Sequence, residues 1–171
     1  MKKHNKNQNL RLRLGRGKPR PFGGRYVYQW IMFSKYLEDW ENKPGYYKEL
    51  VSLWSGWLGK DNIGLLDKVT ENEWAKFNDW IRNLASDFEI VILDFETKAE
   101  QPISNIEEVL SDYKTSMNKD SSQFIELGIP ALGCVISEEW DYTYIIWHQK
   151  NGAVEELIPY IKKAGLKHFH D

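Results

Sequence analysis

The chain has 171 residues, 42% of them apolar and 28% charged, which excludes a wholly disordered chain and is most simply one domain. No unbroken apolar run exceeds four residues, against the roughly 20 that a membrane-spanning helix needs. A single cysteine, Cys134, excludes an internal disulfide and a four-cysteine zinc site, and fits a reducing compartment.

Charge divides by position. The totals of 23 basic and 25 acidic residues give −2, but residues 1–25 hold nine basic side chains (Lys2, Lys3, Lys6, Arg11, Arg13, Arg16, Lys18, Arg20, Arg25) and no acid. The remaining 146 residues hold 14 bases against 25 acids, so a basic arm precedes a single acidic domain over residues 26–171. Gly15, Gly17, Gly23, Gly24, Pro19 and Pro21 make the arm largely flexible, with Leu10–Leu14 alternating like a short edge strand. Two readings fit it: a nucleic-acid contact through phosphate neutralisation, or a solvated tail. It lacks the apolar stretch of roughly seven or more residues that a secretory signal requires, so cytoplasmic residence is expected.

Along the domain, residues 26–41 read as a helix with Val27, Trp30, Ile31, Leu37 and Trp40 near the 3.6-residue period, stopped by Lys43-Pro-Gly45. Residues 46–58 read as a second helix, with Tyr46, Leu50, Leu53, Trp54 and Trp57 on one face and Gly59 as its cap. Thr70-x-x-Glu73 is a capping box ahead of Trp74, Phe77, Ile81 and Leu84, marking a third helix. Residues 88–95 follow as a strand whose continuous Ile-Val-Ile-Leu centre suits cover on both faces. Ser104-x-x-Glu107 predicts a helix carrying Ile106, Val109, Leu110 and Tyr113. Residues 129–137 and 141–148 read as strands joined by an acidic turn at Glu138-Glu-Trp140. A last helix spans residues 153–164, kinked at Pro159 and stopped by Gly165.

The expected order is α-α-α-β-α-β-β-α. The fold class is then α+β, a small three-stranded mixed sheet with about five helices packed on it. Its strand–helix–strand unit implies a right-handed crossover and a parallel pair. Of the eight tryptophans, Trp30, Trp54, Trp57 and Trp74 follow helix faces as core residues. Trp40, Trp80, Trp140 and Trp147 fall off those stripes, which suits surface anchors.

Asp94-Phe-Glu96, followed by Thr97 and Lys98, ends the central strand with two carboxylates on one face, a pattern able to hold Mg²⁺ or Mn²⁺ for phosphodiester hydrolysis. The apolar strand with Asp-x-Glu-Thr resembles the first motif of the DEDD proofreading exonucleases, and Glu96-Thr-Lys98 resembles the Glu-x-Lys half of restriction-type nucleases. The resemblance implies a catalytic set of Asp94, Glu96 and Lys98, but the further strands, aspartate and His/Tyr…Asp pair of those exonucleases do not follow. His168-Phe-His170 puts two imidazoles on one side of an extended chain, a borderline metal clamp with no cysteine or histidine cluster nearby in sequence. No phosphate-cradling or nucleophile motif appears in the domain. No cofactor or resident metal is expected, and Cys134 in an apolar strand should be an inert thiol.

Acidic residues interleaved with aromatics are the stronger signal. Residues 87–112 hold eight acids, among them Asp94, Glu96, Glu100, Glu107, Glu108 and Asp112, against the single base Lys98. Glu138, Glu139 and Asp141 surround Trp140. Together these predict a negative patch with aromatic anchors for a basic partner. In size, acidity, tryptophan content and lack of a catalytic kit the domain resembles the immunity proteins of bacterial toxin–immunity systems. That resemblance implies a non-catalytic protein that occludes the active site of a basic, nuclease-type toxin domain.

Overall fold

The computed structural model describes residues 46–94, 99–118, 124–149 and 152–170. The arm, the predicted helix at 26–41 with Trp30 and Trp40, and Glu96 to Lys98 lie outside the described residues. Among the described residues seven strands form one sheet: β1 (Tyr46–Ser52), β2 (Val91–Asp94), β3 (Ala99–Pro102), β4 (Glu126–Ile129), β5 (Cys134–Glu138), β6 (Thr143–Gln149) and β7 (Lys167–Phe169). Their spatial order is β3-β2-β4-β5-β6-β1-β7, and every neighbouring pair is antiparallel. Among the described residues four α-helices accompany it: α1 (Gly59–Asn62), α2 (Glu71–Asp87), α3 (Tyr113–Met117) and α4 (Ala153–Lys163), with 3-10 segments of about two turns at Ile63–Lys68 and one turn at Ile106–Glu108.

The fold is α+β as expected, but the three-stranded sheet with a parallel pair and five helices is wrong. Residues 46–52 form a strand, not the first half of a helix. Their apolar residues mimic a helical period, yet the segment lies between β6 and β7 with Leu50 and Val51 buried on opposite faces. The predicted strand at 129–137 is two strands, because Pro130-Ala-Leu-Gly133 folds back on itself. The Leu132 N–H donates to Ile129 and the Gly133 N–H to Pro130, with Gly133 at φ +59°. Among the described residues no crossover helix follows β2. The Asn105–Glu108 turn is a single 3-10 segment, and Ala99–Pro102 returns as a hairpin strand instead. The chain end, too, is a strand, since β7 pairs with β1.

Two elements match their sequence signals closely. Helix α2 starts at the complete Thr70–Glu73 capping box and buries Trp74, Phe77, Ile81 and Leu84. Helix α4 runs through Pro159 and ends before Gly165, at φ +75°. Both pack on the sheet face that presents Leu127, Ile129, Ile136, Tyr144 and Ile146. Phe77 stacks on Tyr144 at 4.9 Å, and Trp80 meets the same ring edge-on at 5.9 Å. Trp80 and Trp147 are core residues, correcting their assignment as surface anchors, whereas Trp57, expected in the core, is 54% exposed.

The opposite sheet face buries a smaller cluster of Val91, Leu93, Val135 and Trp147. Gly128 has to be glycine there, because a Cβ would come within 2.9 Å of Val91 Cγ2. Among the described residues, no helix is long and apolar enough to cross a membrane.

Candidate functional site

The last pair of the β1–β6 ladder, Ser52 with Thr143, brings two loops together. One leaves β1 through Trp54, Trp57 and Leu58; the other is the β5–β6 turn holding Glu139, Trp140, Asp141 and Tyr142. The Glu139 N–H donates to the Thr143 carbonyl to close the turn, Tyr142 sits at φ +58°, and the Ser52 hydroxyl donates to the Tyr142 carbonyl. Between the loops lies a pocket of about 250 Å³ lined by Trp54, Trp57, Leu58, Ile63, Trp140 and Asp141. Trp57, Ile63 and Trp140 are about half exposed at its rim, an apolar cluster of the kind that marks an interaction site.

Two residues of opposite charge line the pocket, Lys60 and the partly buried Asp141. Asp141 Oδ1 is shut off from solvent and has no hydrogen-bond partner. Glu139 and Glu126 extend the negative charge along the same sheet end. Burial pushes the Glu139 carboxyl up, and the Asp141 charge adds to this. Burial and the neighbouring Glu139 push Glu126 up to about 7. Such a row of crowded carboxylates is relieved by an incoming cation.

Glu138 does not belong to this surface. It is buried, and its carboxylate accepts from the Ser111 hydroxyl at 2.6 Å, the Ser116 hydroxyl at 3.0 Å and the Ile125 N–H at 3.1 Å. It ties the β3–β4 connection to the sheet, which corrects its assignment to the docking face. Strand alternation explains the correction: Glu138 points with Ile136 and Cys134 to the helix side, and Glu139 starts the turn.

The other predicted acids among the described residues have local settings of their own. Glu107 is held in a bidentate pair by Arg82 at 2.7 and 2.8 Å. Asp112 caps α3, accepting from Lys114 N–H, Thr115 N–H and the Thr115 hydroxyl. Glu108 accepts from the Asn105 amide, and Glu100 lies on the edge strand β3, its carboxyl raised by burial. Asp94 ends β2 opposite Ala99, in an antiparallel sheet rather than at the carboxyl end of a parallel strand. With Glu96 and Lys98 outside the described residues, the nuclease set has no described geometry, and neither has the arm. Cys134 is buried, its thiol pushed up to about 12 by burial.

At the opposite end of β1 lies a second constellation, which sequence spacing concealed. Glu49, His148, His168 and His170 line a cleft of about 410 Å³ with Tyr47 and Glu155. Only His168 and His170 were legible as a pair; β1 and β6 contribute the others from about 120 and 20 residues away in sequence. Comparison with protein-family models, with curated proteins and with solved structures finds no match to the chain.

Proposed function

We propose that this chain is a non-catalytic cytoplasmic binding protein that docks a basic protein partner at the Trp57–Trp140 pocket, in the manner of an immunity protein that occludes a nuclease-type toxin. The observation that carries the reading is the partly buried Asp141 carboxylate, one oxygen of which is shut off from solvent without a hydrogen-bond partner, in a pocket rimmed by two half-exposed tryptophans. A lysine or arginine entering there meets the Asp141 carboxylate and indole faces that hold cations. The volume, below the roughly 300–1,000 Å³ of small-molecule sites, suits a side chain. Desolvation raises the value of the pair, and the surrounding aromatics exclude water as hot-spot residues do.

The test uses the polypeptide encoded directly upstream, where a toxin partner of an immunity gene is expected. Its expression alone should arrest growth, and co-expression of this chain should relieve the arrest. Relief should be lost in Asp141→Asn and Trp140→Ala. A harmless neighbour, or relief that survives both substitutions, overturns the proposal.

A further inference from the structure

We infer that Glu49, His148, His168 and His170 form a binding site for a divalent transition ion of the Zn²⁺ class. Strand register builds the set. Val51 pairs with His168 and Leu50 with Phe169, so extending the register by one residue sets Glu49 opposite His170; Tyr47 pairs with His148 on the other side of β1. Since side chains alternate, all of these project to the helix side of the sheet. His168 Nε2 and His170 Nδ1 each lie 2.7 Å from Glu49 Oε2, and the donor atoms of these three residues fall within 4.8 Å of one another.

His148 supplies the independent observation. Its side chain is 9% exposed, and its Nδ1 lies 2.9 Å from the Gln149 carbonyl. A carbonyl only accepts, so Nδ1 carries a proton and Nε2 is the ring atom left to meet a ligand. That Nε2 is buried, has no hydrogen-bond partner and faces Glu49 Oε1 at 3.7 Å. The two atoms face each other across a gap too wide for a hydrogen bond, and a cation bound between them, with Nε2 as a lone-pair donor, fills that gap. A carbonyl holding Nδ1–H is also how metal-ligating histidines are oriented.

Distance and ligand type select the ion. Ligands roughly 2.0–2.2 Å from a tetrahedral ion stand about 3.4 Å apart, so the 3.7 Å gap fits and the two 2.7 Å contacts open by less than about 1 Å. Three imidazoles and one carboxylate favour Zn²⁺ and its neighbours over Mg²⁺ or Ca²⁺. His170, 74% exposed, leaves one side of the ion open to the cleft.

Isothermal titration of Zn²⁺ into the full-length chain after chelator treatment tests the site, with the visible spectrum of the Co²⁺ form reporting its geometry. One ion per chain is expected, with a tetrahedral Co²⁺ spectrum and a raised melting temperature. Exposed His170 is replaceable without harm to the fold, so His170→Ala should weaken binding by at least about tenfold, and His168→Ala likewise. His4→Ala should change nothing. No heat with Zn²⁺, or affinity retained in a folded His168→Ala/His170→Ala double variant, overturns the assignment.

Discussion

The two ends of β1 carry different kinds of site. At its carboxyl end, the Trp57–Trp140 pocket is made largely from one hairpin turn and one loop, so much of its chemistry is contiguous in sequence. At the other end, Glu49 meets three histidines delivered by β6 and by the chain terminus, and each strand contributes one or two ligands. The first offers aromatic area and a partly buried carboxylate, suited to a side chain from another protein. The second offers imidazole lone pairs, suited to an ion. A local turn yields a surface that reads as a cluster of residue types; a sheet yields a ligand set whose members have no sequence relation until register is known.

The sharpest way to break this comparison is at the hairpin, where adjacent glutamates have opposite roles. Glu138→Ala leaves two hydroxyls and the Ile125 N–H without their acceptor, and should destabilise the protein by about 3 kcal/mol in chemical denaturation. Glu139→Ala, at the turn, should stay within about 0.5 kcal/mol of the parent. Equal losses would mean that the turn is part of the core and the pocket is not an independent surface.

Next in size is the anchor. Trp140→Ala should cost about 2 kcal/mol or more of partner affinity, mainly through faster dissociation, with little change in the melt of the free protein. Glu139→Lys should instead slow association, an effect that fades as salt rises. A binding assay at two salt concentrations separates the two; unfolding of Trp140→Ala alone would place that ring in the core.

The smallest effect sharpens the electrostatic side. The folded Glu126 carboxyl sits at about 7, above its ordinary range, so the native state binds more protons than the unfolded chain between about pH 4.5 and 7. Its contribution to stability is therefore lost as pH rises through that window. Glu126→Gln should match the parent below pH 4.5 and exceed it at pH 8. For this half-buried side chain the gain is about 1 kcal/mol after solvent screening, or roughly 2–4 °C in melting temperature. An unchanged difference across that range would deny that the carboxylate row is crowded.

Sequence alone determined the features whose causes are local. The Thr70–Glu73 capping box and the spacing of Trp74, Phe77, Ile81 and Leu84 located α2, because a helix is specified by neighbours three and four residues apart. The Gly165 stop of α4, the hairpin around Trp140 and the inert Cys134 were legible for the same reason. Tertiary structure decided the rest. Residues 46–52 became a strand because β6 and β7 flank them, overriding an apolar spacing compatible with a helix. Pairing direction turned a predicted parallel crossover into an antiparallel sheet, and alternation across β5 sent Glu138 inward while its neighbour stayed in the turn. Glu49 and His148 joined the terminal histidines for the same physical reason: hydrogen-bonded register, which acts between distant strands and leaves no local trace in the chain.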